Sequence, residues 1–123
     1  MKLTVFTNNE SVVREKSHEV QFIEGDAFAV LRAVRDAIHL GGILKSYPLG
    51  ASIKMLHAPI VSVLVEEKKG PVDQASFEVI EDSIIRLQTV MGERPFDWRN
   101  RKDYELVDND RLHAALSELN AFA

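Results

Sequence analysis

The sequence predicts an α/β domain in which a short, mostly parallel sheet of about four strands lies between two layers of helices. Short β-favouring runs alternate along the chain with segments whose apolar residues have helical spacing. Residues 60–66 are nearly continuous Val, Ile and Leu, the pattern of a strand covered on both faces. With right-handed crossovers, these elements favour a Rossmann-like or flavodoxin-like sheet in the order 2-1-3-4.

The first part of the chain contains three of the predicted strands. We predict strands at residues 3–6, 20–24 and 43–48, and helices at residues 10–16 and 27–40. Asn8 or Asn9 is expected to cap the first helix, and Asp26 the second. Gly41 and its neighbouring glycine end the second helix, and Pro48 ends the third strand.

The second part is predicted to contain the buried strand and two further helices. Asp73 or Ser76 caps a long helix whose apolar residues recur at spacings of three and four, and Gly92 ends it. Asp108 belongs to a group of cap residues before a last helix at residues 111–122. We therefore predict one α/β domain over residues 1–92, with residues 93–123 as its C-terminal arm and docking helix.

Composition excludes several classes of protein. The chain has 123 residues, is 46% hydrophobic and has a formal net charge of −4, which fits one globular domain and lacks the basic footprint of a nucleic-acid binder. It has no cysteine, and its four histidines lack the spacing of a helical zinc site, so no metal is predicted. No nucleotide-binding glycine pattern or other cofactor motif is found. With neither a signal peptide nor an apolar run long enough for a membrane span, we expect a cytoplasmic protein without membrane contact.

Several short motifs resemble the GrdX family. They are residues 6–9, 24–25, 47–54, 58–59, 62–63 and 80–84, of which Thr-Asn-Asn and Pro-Leu-Gly-Ala-Ser-Ile-Lys are the most specific. The resemblance ends before Gly92. It implies a small protein whose gene accompanies those of glycine and betaine reductase systems, and so a protein partner in amino-acid reductase metabolism. It assigns no molecular role.

A candidate ligand site is predicted where the strands end. In parallel sheets, ligands bind beyond the carboxyl ends of the strands, which here brings together Asn8, Asn9, Gly50, Ser52 and Lys54. Amides, a hydroxyl, glycine backbone donors and one lysine are suited to a small carboxylate or phosphate. The same residues have a structural interpretation: the asparagines cap a helix, the glycine permits a turn and the lysine is solvated.

The C-terminal arm is the second candidate region. Its aromatic residues Phe96, Trp98 and Tyr104 alternate with basic and acidic residues. Stacking with basic charge is typical of single-stranded nucleic-acid binding, but the acidic residues favour packing on the domain itself or a subunit interface, such as that of a homodimer.

Three functions remain open. The first is a non-enzymatic accessory or binding protein with the anion pocket described above. The second is an enzyme acting on a small anionic metabolite, in which Lys54 binds the anion and His57 or Glu24 moves protons; no catalytic residue is assigned. The third is a structural subunit that binds a larger complex through its C-terminal arm and helix.

Overall fold

The structure, a computed structural model, describes residues 2–16, 18–49 and 57–121, and is mixed α/β, with a four-stranded sheet and four helices. The strands are β1 (Leu3–Thr7), β2 (Val20–Phe22), β3 (Ile43–Leu44) and β4 (Ser62–Glu66). The helices are α1 (Glu10–Glu15), α2 (Ala27–His39), α3 (Gln74–Met91) and α4 (Arg101–Ala121). No helix within these described stretches has the length and apolar content needed to cross a membrane.

The sheet is mixed, and its strand order is β2-β1-β4-β3. β1 and β2 are parallel and are joined through α1, whereas β4 is antiparallel to both β1 and β3. The predicted mostly parallel, Rossmann-like sheet in the order 2-1-3-4 is therefore wrong. Parallel neighbours need a crossover connection, usually a helix, but no α-helix lies among the described residues between β3 and β4. The chain returns beside β3 in the opposite direction instead.

Two buried clusters lie on opposite faces of the sheet, because successive strand residues point to opposite sides. Phe6, Val63 and Val65 belong to the larger cluster, together with the apolar faces of α2 and α3. Val5 and Leu64 belong to the smaller one, with Val12 of α1 and Leu112 of α4. β4 is buried on both faces from Ser62 to Val65, as its apolar sequence predicts.

α2 and α3 begin at predicted cap residues, and α2 has the buried face that its apolar spacing predicts. In α2, all five buried residues are those predicted for its apolar stripe: Ala27, Val30, Leu31, Val34 and Ile38. Asp26 caps α2 by accepting from Ala29 N–H at 3.1 Å. Asp73 caps α3, and its Oδ2 accepts from both the N–H (3.1 Å) and the hydroxyl (2.6 Å) of Ser76.

The last helix begins ten residues earlier than predicted, at Arg101. Asp108, predicted as a cap residue, lies inside α4 and is 2% exposed. The segment from Arg101 to Asp110 contains so many polar residues that it lacks an apolar period in the sequence. Several of those polar residues face the protein and make hydrogen bonds to α1 and β4, so α4 is held by polar contacts along its first half.

Candidate functional site

One end of the sheet brings together the residues that follow β1, β2 and β3, including Asn8 and Asn9 of the predicted site. β1, β2 and β3 all end there, and because β4 runs antiparallel, its first residue, Ser62, lies there too, opposite Thr7. The hydroxyls of Thr7 and Ser62 are 2.7 Å apart and buried. The mixed topology thus still places residues 7–9, 24–26 and 45–49 at a common end.

Asn8 joins three segments at this end of the sheet. Its side-chain amide donates to the carbonyl oxygens of Gly25 (2.9 Å) and Pro59 (2.8 Å). Its Oδ1 accepts from Val61 N–H at 2.9 Å. The side chain is buried, and both donors are used within the protein. Asn8 therefore fixes the segment that precedes β4.

Asn9 connects α1 to α4. Its Oδ1 accepts from Ser11 N–H at 3.0 Å, which is the predicted cap of α1. Its amide donates to the carbonyl oxygen of Glu105 (3.0 Å) and to Asp108 Oδ2 (2.9 Å). Asn9 is fully buried. The cap interpretation is confirmed, and the same side chain also holds the C-terminal helix.

Asp108 is a buried acceptor at the centre of this network. Its Oδ1 accepts from Ser62 N–H at 2.8 Å, and its Oδ2 accepts from the Ser62 hydroxyl at 2.6 Å. Burial raises the pKa of Asp108, while hydrogen bonds from Ser62 and Asn9 and the charge of Arg111 lower it. The network ties β1, β4, α1 and α4 together through one carboxyl group. Sequence reasoning missed it because an aspartate inside a polar stretch resembles a cap.

Two clefts open beside this network and meet at Tyr47, whose side chain is exposed. The first, of about 550 Å³, lies between Tyr47 and α3, and its lining includes Val79, Ser83 and Arg86. The second, of about 510 Å³, lies between the end of β3 and α4, and its lining includes Ser62. Arg111 lines both clefts, so one guanidinium serves both.

The clefts are lined by both basic and acidic residues. The basic ones are Lys45, Arg86 and Arg111, and the acidic ones are Asp82 and Glu118. Among the described residues, neither Arg86 nor Arg111 lies within 4.0 Å of a carboxylate oxygen in an ion pair. Arg111 donates to the carbonyl oxygen of Tyr47 at 3.3 Å. Lys45 lies 3.9 Å from a carboxylate oxygen of Glu66. Two guanidinium groups therefore stand at the clefts with donors to spare.

The predicted site residues divide into two groups. Asn8 and Asn9 lie together, with their amide donors used by the protein itself. Gly50, Ser52 and Lys54 lie outside the described residues. Their predicted part in an anion site stays a prediction.

Of the three residues named for the enzyme hypothesis, Glu24 and His57 lie among the described residues and Lys54 does not. Glu24 is exposed, and His57 is half-buried, with its carbonyl oxygen accepting from Asp97 N–H at 3.1 Å. In the stretches that the structure describes, no three His, Asp or Glu side chains form a group that could hold a metal ion.

The arm packs on its own domain through one aromatic residue. The rings of Phe96 and Phe28 make an edge contact with centroids 5.7 Å apart, and Phe96 borders the larger core cluster. The Tyr104 hydroxyl donates to Asp97 at 3.0 Å, within the arm. Trp98 is 44% exposed, and the Arg101 guanidinium lies 5.8 Å from its ring centroid. The predicted interface role of these aromatics stays a prediction.

Comparison with protein families decides what the chain is related to. The model of the GrdX-like protein family matches residues 4–117. The chain belongs to the GrdX-like family. The match extends well beyond Gly92, so the prediction that the resemblance ends before Gly92 is wrong. The arm and most of α4 belong to the family pattern. The family suggests an association with glycine reductase systems. Comparisons with curated proteins and with solved structures give no match.

Proposed function

We propose that this GrdX-like chain is a non-catalytic accessory protein of glycine reductase systems that binds a small anion in the clefts beside Tyr47. The observation that carries the proposal is the pair Arg86 and Arg111, which line one cleft and make no ion pair with any described carboxylate. Family membership supports the metabolic setting. The anion site itself rests on the chemistry of the cleft.

The cleft supplies the groups that a small carboxylate or phosphate needs. A guanidinium presents a planar fork of donors that matches both anions, and a charge-assisted hydrogen bond is about twice as strong as a neutral one. Arg86 projects from α3 and Arg111 from α4, so packed helices hold both. Tyr47 adds a hydroxyl group and Val79 adds an apolar wall. The Ser83 hydroxyl already donates to the carbonyl oxygen of Val79 at 2.7 Å, and Asp82 lines the same cleft.

The buried network gives this cleft a fixed frame. Arg111 follows Asp108 by three residues on α4, which places it on nearly the same side of the helix. Asp108 is tied to Ser62 and Asn9, so the turn of α4 that carries Arg111 is anchored to the sheet. In this proposal, Asn8 and Asn9 hold the segment before β4 and α4 in place and do not contact the anion. Gly50, Ser52 and Lys54 remain predicted contributors to the site.

The test is calorimetric titration of the purified chain with acetate, glycine and inorganic phosphate. We expect at least one of them to bind, with Arg86→Ala and Arg111→Ala each weakening binding roughly tenfold, the loss of about one charge-assisted hydrogen bond. Arg14→Ala is the matched control, because it removes the same charge from an exposed position on α1. Failure of all three probes to bind, or equal binding by all variants, would overturn the proposal.

A further inference from the structure

The two edge strands of the sheet differ in whether their outward backbone groups are hydrogen-bonded. At the β3 edge, the outward N–H of Leu44 donates to the Ser76 hydroxyl at 2.9 Å, so the start of α3 closes that edge. β2 forms the opposite edge. No described residue exchanges a hydrogen bond with the outward backbone groups of β2. The sheet therefore has one closed edge and one open edge.

The ladder with β1 identifies the free groups of β2. The carbonyl oxygen of Glu19 accepts from Val5 N–H, and Ile23 N–H donates to Thr7, both at 2.8 Å. Since backbone groups of a strand alternate in direction, those of Val20 and Phe22 face away from β1. These two residues present an N–H, a carbonyl, an N–H and a carbonyl along the open edge, a template for one more strand.

The side chains around this edge indicate what kind of strand fits. Phe22 is 42% exposed, which leaves an aromatic surface beside the free backbone groups. Glu19 lies at one end of β2 and Glu24 just beyond the other, and both are exposed. Lys2 is within electrostatic range of Glu19 but already pairs with Glu67 at 2.9 Å. The edge therefore has an exposed aromatic ring and the exposed amide of Gln21 along β2, and a carboxylate at each end.

We propose that the β2 edge is a strand-addition site for an extended segment of another protein that carries a basic residue at each end. Main-chain hydrogen bonds to Val20 and Phe22 supply the affinity, as in other strand-addition complexes. The acidic ends select a basic partner segment. They also disfavour pairing with a second copy of this chain, which would bring its own Glu19 and Glu24 to the same edge. The site is independent of the arginine clefts.

The probe is a blocked synthetic peptide of alternating valine and threonine with lysine at both ends, compared with the same peptide ending in glutamates. Binding is measured by fluorescence anisotropy, and backbone amide exchange is followed by NMR. We expect the lysine peptide to bind and to slow exchange of the Val20 and Phe22 amides. The glutamate peptide should bind at least tenfold more weakly, because two like-charged contacts replace two favourable ones.

Two variants separate backbone pairing from ring contact. Phe22→Pro removes an outward N–H but none of the bonds to β1, since proline is tolerated on an edge strand. Phe22→Ala removes the same ring and keeps the N–H. We expect the proline variant to bind roughly tenfold more weakly than the alanine variant, the loss of about one hydrogen bond. Equal binding by these two variants, protection at other amides, or dimerisation of the chain through β2 would each overturn the proposal. Arg111→Ala should leave peptide binding unchanged, so failure here is distinguishable from failure of the anion site.

Discussion

Replacing Asp108 by alanine removes the acceptor that holds α4 on the sheet. Three donors point at this carboxyl group, namely Ser62 N–H at 2.8 Å, the Ser62 hydroxyl at 2.6 Å and the Asn9 amide at 2.9 Å. The hydroxyl can rotate toward Thr7, but the backbone N–H and the amide are fixed. Each buried donor left without a partner costs about 1–3 kcal/mol.

The expected loss is smaller than the sum of these costs. Burying the carboxyl group is itself unfavourable, as its raised pKa indicates, and Asp108→Ala relieves that cost. Two stranded donors less this relief give a loss of about 3 kcal/mol in the free energy of unfolding. For a chain of this size, that corresponds to a fall of about 10 °C in Tm.

The assay is urea unfolding followed by circular dichroism, with Asp110→Ala as the control. Asp110 is exposed on the same helix and carries the same charge, so its replacement should change the free energy of unfolding by less than about 0.5 kcal/mol. If Asp108→Ala behaves like Asp110→Ala, the carboxyl group does not anchor α4, and the reasoning from the hydrogen bonds is wrong.

The pH dependence of folding stability gives a second test of the Asp108 carboxyl group. Because burial raises the pKa of Asp108, the folded chain binds more protons than the unfolded chain above the ordinary value of 3.8. Its contribution to stability therefore falls as the pH rises through this range. Asp108→Asn has no such titration, so the stability difference between the native chain and this variant should shrink as the pH rises. A difference that is constant or grows with pH would contradict the assignment.

Two further predictions concern backbone geometry and acid stability. Gly41 has a φ of 113°, and an added Cβ would lie 2.6 Å from the backbone nitrogen of Gly70, so Gly41→Ala should lower the Tm far more than Gly92→Ala, where φ is 53° and the space is open. Equal thermal shifts would refute this. A hydrogen bond from Asn109 lowers the pKa of Glu15, so its contribution to stability is present above the ordinary value of 4.5 and is lost as the pH falls below it. Glu15→Gln should therefore reduce the loss of stability in acid, measured by urea unfolding, and an unchanged acid profile would refute that.

The sequence predicts the helices and strands better than their arrangement. α2 is predicted closely because its apolar residues repeat with one period and a cap and a glycine mark its ends. The direction of β4 is not predictable in this way, since a buried strand has the same apolar sequence whichever way it runs. The direction is seen only in the pairing across the sheet, where β4 is antiparallel to both β1 and β3.

The candidate site shows the same division between local and long-range information. Asn9 caps α1 through a contact two residues away, and that pattern is visible in the sequence. Its bond to Asp108 spans 99 residues, and nothing local in the sequence marks it. The cleft beside Tyr47 likewise brings together Arg86 of α3 and Arg111 of α4, which are distant in the sequence. Contacts of this kind are set by tertiary packing and cannot be read from short motifs.

Asn8 and Asn9 thus have a different role in this chain from the one that the ligand rule for parallel sheets assigns them. Asn8 and Asn9 directly follow β1, but their amides bind the protein's own backbone and Asp108. Among the described residues, the charge for the proposed anion site therefore comes from Arg86 and Arg111 on the helices. Because the turn of α4 that carries Arg111 also carries Asp108, the anchoring of α4 and the proposed anion binding would depend on the same helical turn. A ligand that binds Arg111 would therefore stabilise the docked position of α4 by mass action. Arg111→Ala would remove this added stability and leave the buried network intact, whereas Asp108→Ala would weaken both.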